Sequence, residues 1–371
     1  LKPALLACLA LLAGCAASEN PNTLTQVQFA SIPGWSTDAT DQAFTQFRRE
    51  CTRLATLPPA EQLGGIGEAA QRAGTPAAYE QACLAARQVL VSSAADARTF
   101  FAHWFAAYDA GAVPVSGYFE PEFPGSLSQT GAYQIPVLAR PADLVTIPDG
   151  DTTLSGRNQN GRIVPYPTRA AIDHGALAGR GLELLWLSDP IDLFFLQLQG
   201  SGRIRLPSGQ LVRVAYAGKN GQPYVPLGRL MIERGLLAPE DATPQHIHDW
   251  LESHPAQATA LIEQNPNYVF FRLLDGVSLD EGAPGALGVP LTPLRSVAVD
   301  RAIVPLATPV FYDVTGSPLR GLAFATDVSG SRGEGLDIFF GWGKAAQAQA
   351  DTLHGTAHRT LLLPRPVAPP R

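Results

Sequence analysis

The sequence predicts a mainly β fold with helices, in which one sheet-rich body is interrupted by a second. Three observations carry that expectation. From Val113 onward the chain reads as short β-like runs separated by Pro and Gly clusters. Gly and Pro, 35 and 32 in number, are spread between apolar runs, as turns between many strands require. Helical signals precede this stretch and return in its middle, after which the β texture resumes. A chain of 371 residues has room for two domains and a large core.

In chain order, Lys2 to Cys15 joins a positive start, a short apolar run and small residues before a cysteine. That is an export signal, too short to span a bilayer as a stable anchor. Leu12-Ala-Gly-Cys15 looks like a bacterial lipobox, in which residues 1–14 are removed and Cys15 is lipidated; an ordinary cleaved signal is the alternative. Ala16 after the cysteine favours passage to the outer membrane. Residues 15–30 read as a tether.

Three helical patterns follow, Asp41 to Leu54, Ala77 to Leu90 and Ala94 to Tyr108. Phe101, Trp104, Phe105 and Tyr108 form an aromatic stripe on the last, an arrangement far more often core than ligand platform. Cys51 shares a face with Phe44, Phe47 and Leu54, and Cys83 with Tyr79, Ala86 and Leu90. In an oxidising compartment these two cysteines either bridge neighbouring helices or stay as two buried thiols. No CxxC or His-rich spacing occurs, so neither a metal nor a cofactor is expected, and His174, His246, His248 and His254 read as surface or core residues.

Strand-like runs then span Tyr133 to Leu138, Leu182 to Leu187, Leu193 to Leu198 and Leu211 to Tyr216. Helices return at Leu227 to Arg234, stopped by Gly235, and at Gln245 to Ser253, where Thr243 caps and Pro244 opens the first turn. After Phe271 the β texture continues to Phe340, and Lys344 to Ala350 closes as a helix. A net charge of −6 and a pI near 5.7 argue against a nucleic-acid partner, which calls for a basic face.

The run Asp327-Val-Ser-Gly-Ser-Arg-Gly-Glu-Gly-Leu-Asp337 sets two carboxylates at the ends of a Gly-rich loop, the second opening the apolar strand Ile338-Phe-Phe340. An acid against such a strand loses hydration, and desolvation raises its pKa toward the value a proton donor needs near neutrality. Asp300 ends another apolar run, Ser296-Val-Ala-Val-Asp300. Turns also use Asp and Gly, but three aspartates ending three strands suggest one site.

Together with Gly117-Tyr-Phe-Glu-Pro121, Pro165-Tyr-Pro-Thr-Arg-Ala-Ala-Ile172, Leu198-Gln-Gly-Ser-Gly202, Tyr216-Ala-Gly-Lys-Asn-Gly221, Asn265-Pro-Asn-Tyr-Val-Phe-Phe-Arg272 and Gly288-Val-Pro-Leu-Thr-Pro-Leu-Arg-Ser296, these runs resemble the membrane-bound lytic murein transglycosylase A family from about 116 to 350. The resemblance implies a double-psi β-barrel carrying the aspartates, formed by residues 31–123 and 279–371 with the helical segment, and a smaller inserted β-barrel at 124–278. A groove between them would take peptidoglycan glycan strands, in the periplasm, on a protein lipid-anchored to the outer membrane. It implies that Asp337 is acid and then base in forming a 1,6-anhydro sugar, with Asp327 and Asp300 in support and hydrogen bonds keeping Asp327 ionised. Ser116, Tyr118, Glu120, Gln199, Ser201, Lys219 and Trp342 are the expected substrate contacts. Glu120 and Glu122 are rival acids, with a solvated turn the preferred role for Glu122; Lys219 either touches substrate or decorates a turn; Tyr118 and Trp342 either stack on sugars or pack. Two departures stand out: the loop is shortened, with Ser329, Ser331 and Glu334 in it, and Ala307 replaces a usual Gly. A two-carboxylate muramidase and a non-catalytic glycan-binding lipoprotein are the alternative readings.

Overall fold

The computed structural model describes residues 24–149, 152–276, 278–329, 333 and 335–366. Cys15 with its lipobox, most of the tether, Ser331 and Glu334 lie outside the described residues.

One 16-residue strand, Phe105–Glu120, organises the larger body. One edge pairs antiparallel with His354–Pro364 along most of its length. The other edge pairs with Thr25–Val27 near its start and, in parallel, with Leu336–Trp342 near its end. Leu336–Trp342 next pairs antiparallel with Ser296–Val299, which runs parallel to Arg320–Val328. Pro309–Val314 joins that strand to His354–Pro364. Six strands therefore close into a barrel without a free edge.

Helices cover the barrel and complete its core. Thr40–Leu54 buries the expected face of Phe44, Phe47, Cys51 and Leu54, and Phe47 stacks on Phe324 of the barrel at 5.9 Å. Cys51 and Cys83 are joined by a disulfide that ties this helix to Glu80–Gln88. The third helix ends at Trp104, earlier than the aromatic stripe predicts. Phe105 and Tyr108 belong to the long strand, where ladder bonds on both edges override the helical preference of the alanines between them. Ala307 takes φ 67°, a conformation glycine adopts without cost and alanine only with strain of about 1 kcal/mol.

The second body leaves the first after Glu120 and returns before Ser296. Its sheet runs Val269–Leu273, Leu211–Lys219, Ser201–Arg205, Glu122–Ser126, Glu183–Leu187, Ile135–Leu138, and an isolated bridge between Ala139 and Phe271 brings the two ends together. Leu193 to Leu198 is not a strand: it lies in the helix Pro190–Gln199, capped by the Asp189 side chain and ended by Gly200 at φ 74°. That helix is apolar on two sides, because Leu193 and Leu196 face the second sheet while Ile191 and Phe194 face the helices Leu227–Glu233, Pro244–Ser253 and Pro255–Ile262. Two buried faces erase the 3.6-residue polar rhythm. Thr243 caps its helix as expected.

Behind the barrel, Glu50 is fully buried on Thr40–Leu54. Its Oε1 accepts from Gln46 at 2.8 Å and from the Thr326 hydroxyl at 2.7 Å, while Oε2 has no hydrogen-bond partner. Burial pushes the carboxyl up to about 7 from 4.5. A folded-state pKa above the unfolded one means stability that is full below about 4.5 and is lost as pH rises through about 7. Glu50→Gln is expected to remove that slope, of order 3 kcal/mol, in urea unfolding followed from pH 4 to 8. Parallel pH profiles for the two proteins would sink this assignment.

Candidate active site

Four adjacent strands bring the site residues into one row. Asp327 pairs with Ala298, Ala298 with Asp337 on its other side, and Asp337 with Ser116. Residues paired in register share a face, so the two acids flank an alanine too small to separate their side chains. The row depends on a bulge: Val297 pairs with Ala325 and Ala298 with Asp327, leaving Thr326 as the extra residue. Thr326 turns its hydroxyl to the buried Glu50 and its carbonyl to the Leu287 N–H.

The two carboxylates differ in how they are held. Among the described residues Asp337 accepts one hydrogen bond, from the Ser116 hydroxyl at 2.6 Å on Oδ1, and it is partly exposed. Asp327 accepts from the Ala286 and Val328 N–H groups, both at 2.9 Å on Oδ1, and from the Tyr118 hydroxyl at 3.4 Å on Oδ2. Burial nevertheless holds the Asp327 carboxyl above its ordinary range against those donors, and the neighbouring Asp337 adds to the rise. Hydrogen bonds were expected to keep Asp327 ionised; desolvation is the larger effect. The same burial and both carboxylates push the Tyr118 hydroxyl well above 10. Close approach builds the neighbourhood: a Cβ on Gly117 would lie 2.5 Å from Ala350 of the helix Gly343–Ala350, and one on Gly285 2.7 Å from the Thr326 carbonyl.

Asp300 sits one residue beyond its strand. Its carboxylate accepts from the N–H groups of Ala302 at 2.9 Å and of Gly333, a residue between the two acids, at 2.8 Å. Gln199, at the end of its helix, accepts from the Phe119 N–H at 3.4 Å and so reaches the first barrel. Ser201 follows, partly exposed, on the neighbouring strand. Lys219 is exposed, whereas the adjacent Asn220 is buried, donating to the Pro167 and Pro266 carbonyls and accepting from the Tyr268 N–H. That asparagine is the structural staple of its motif.

Glu120 requires correction as a substrate contact and as a rival acid. It is fully buried between Arg203 and Arg213, at 3.3 and 2.9 Å, and no glycan reaches it. Glu122 pairs with Arg205 at 2.6 Å at the surface. One face of Trp342 is taken by the Arg203 guanidinium, 4.2 Å from the ring centroid, and Tyr118 lies against Phe339. Arg203 and Arg213 escaped sequence reasoning, although charged residues inside the apolar strand runs Arg203-Ile204 and Val212-Arg213-Val214 are a signal of buried pairing. Among the described residues, His248, Asp249 and Glu252 are near enough to share a metal ion, but the two acids are exposed and lie on one helix.

Comparison with known proteins relates the chain to one family. Residues 114–272 match the family model described as MltA specific insert domain, and residues 295–362 match the 3D domain. Membrane-bound lytic murein transglycosylase A of Vibrio cholerae is 37% identical over 196 residues, which are 50% of this chain and 52% of that protein. The chain thus matches about half the length of that curated relative. The crystal structure of membrane-bound lytic murein transglycosylase from Agrobacterium tumefaciens superposes with a TM-score of 0.82 at 31% identity, covering 92% of this chain and 98% of that one. The structure of E. coli MltA with bound chitohexaose gives a TM-score of 0.68 at 25% identity, over 93% of this chain and 95% of that one.

The Tyr118 hydroxyl favours the charged form of Asp327, so Tyr118→Phe is expected to move the Asp327 carboxyl further upward. Carbon-13 NMR titration of the aspartate carboxyls reads this directly. A downward shift, or none, would show that the hydroxyl does not hold Asp327.

Proposed function

Because the chain belongs to the membrane-bound lytic murein transglycosylase A family, we propose that it cleaves the β-1,4 bond between N-acetylmuramic acid and N-acetylglucosamine in peptidoglycan, leaving 1,6-anhydromuramoyl ends. The observation that carries this reading is the unequal engagement of the two carboxylates. Both are partly exposed, but among the described residues Asp337 has only Oδ1 fixed, by Ser116, whereas Asp327 accepts from three donors.

In the proposed reaction Asp337 gives its proton to the glycosidic oxygen as the bond to C1 of the muramoyl residue breaks. The resulting carboxylate then takes the proton of the C6 hydroxyl while that oxygen bonds to C1. One residue serves as acid and base, and no water is consumed. Holding the hydroxyl beside C1 makes the second step intramolecular, with an effective concentration of roughly 10⁵ M or more, far above that of liquid water. Asp327 shapes the field at Asp337, and Asp300 holds Gly333 between them. A hydrolase of the two-carboxylate type needs its second acid open to activate water. Asp327, turned toward backbone N–H groups, is a poor candidate for that task.

Asp337→Asn is expected to retain glycan binding and lose at least ~10²-fold in rate, since an amide cannot cycle a proton. Digestion of purified sacculi in ¹⁸O-water separates the readings: unlabelled 1,6-anhydromuropeptides support the transglycosylase, labelled reducing ends would establish a hydrolase, and no release would leave a binding protein.

The name of the Vibrio cholerae relative supports a cell-envelope location. The lipobox adds a finer proposal, a periplasmic protein anchored to the outer membrane through Cys15. Labelled fatty acid is expected in the wild type and absent from Cys15→Ser; equal labelling would refute the anchor.

A further inference from the structure

Glu120 is buried to 0% exposure, and its carboxyl group is engaged by two arginines rather than by solvent or by the aspartates. Its partners are almost as buried: Arg203 is 2% and Arg213 3% exposed, and the two arginines pair in register on adjacent strands of the second body. Arg213 donates from Nε to Oε1 at 3.1 Å and from Nη2 to Oε2 at 2.9 Å; Arg203 donates from Nε to Oε2 at 3.3 Å. The remaining donors hold the returning chain, Arg213 Nη1 on the Ser278 carbonyl and Arg203 Nη1 and Nη2 on those of Leu279 and Glu281. Three carbonyl dipoles share the surplus positive charge of the cluster.

The position of the cluster is as informative as its bonds. Glu120 ends the strand that carries Ser116 and Tyr118, immediately before the chain crosses to the second body. Residues 278–281 are where it crosses back. One carboxylate therefore anchors both crossings. The Arg203 guanidinium also sits over the ring of Trp342, the register partner of Glu120 on the neighbouring strand. Trp342 remains partly exposed, at the opposite end of the strand that begins beside Asp337.

We infer that Glu120 is a positioning residue that acts through Arg203 to fix the plane of Trp342, and that Trp342 so held is a stacking platform for a sugar ring distant from the bond being broken. The inference rests on the glycan-cleaving reading above. A guanidinium is planar and rigidly forked, so it can satisfy the carboxylate at its edge and an indole on its face at once. A lysine keeps the charge beside Glu120 but cannot lie flat on the ring. The platform lies several residues along the strand from Asp337, so its effect falls on glycan affinity rather than on proton transfer.

A double-substitution cycle on chitohexaose affinity tests this, measured by calorimetry in the non-cycling Asp337→Asn protein. Arg203→Lys and Trp342→Ala are each expected to weaken binding about tenfold, and the pair also about tenfold, because both remove one platform. Trp342→Phe is expected to recover most of the affinity. Arg213→Lys, which loosens Glu120 but leaves the Arg203 guanidinium on the indole, is expected to weaken binding less than Arg203→Lys. In the active enzyme, Arg203→Lys is expected to raise KM for soluble glycan strands with kcat within twofold; a merely structural defect lowers the folded fraction and hence apparent kcat instead. A roughly hundredfold loss in the pair, or equal losses from both lysine substitutions, overturns the inference while leaving the enzyme reading intact. Absence of binding by the parent overturns both. If Arg203→Lys does not fold, Glu120→Asp replaces it, since the shorter side chain draws the carboxylate away from Arg203; its effect should vanish in the Trp342→Ala background, and persistence there overturns the inference.

Discussion

The bulge at Thr326 is the constraint on which the site depends. In a regular ladder Thr326 would stand opposite Ala298 and Asp327 would point to the other face of the sheet, since side chains alternate with a period of two. The extra residue restores Asp327 to the face that carries Asp337 and Ser116. Thr326 is free to leave the ladder because its hydroxyl and carbonyl find other partners, in Glu50 and Leu287. A helix on the outside of the barrel thereby takes part in setting the geometry within, through a carboxyl with no catalytic task that bonds the residue next to Asp327.

The two bodies meet through side chains rather than through a shared sheet. Gln199 touches the backbone of Phe119, Arg203 covers Trp342, and Glu120 gathers the arginines of the second body under the end of the first body's longest strand. Glu281, in the returning crossover, adds a surface pair to Arg49 at 3.0 Å and so reaches the helix that carries Glu50. Elements that look like separate supports, the outer helix and the buried triad, meet in that crossover.

Much of this was legible in the sequence where a local pattern had a single cause. The face of Phe44, Phe47, Cys51 and Leu54 shows the helical period because only one side of that helix is buried. Asp337 stands at the head of an apolar strand, as the run Ile338-Phe-Phe340 signals. The pattern failed where two surfaces compete for one element, as in Pro190–Gln199, whose two apolar faces read like a strand. It failed again at Glu120, because residue type alone does not separate a general acid from a buried ion-pair partner. Contacts such as Ser116 to Asp337, 221 positions apart, have no local signature at all. The family resemblance brought those segments together; the strand register explains why they must be together.

The closure of the first barrel has a consequence for when this protein can become what it is. Phe105–Glu120 and His354–Pro364 are the ring's opening and closing strands, and the whole second body is made between them. On a ribosome or a translocon, the early strand must wait, its closing edge unpaired, until the last strand emerges. Pairings of such long range are slow to form. The second body, whose strands fall between Glu122 and Leu273, has all its partners sooner and is free to fold first. The aspartate row is then among the last features to form, and a chain halted before His354 carries its acids without the barrel that aligns them.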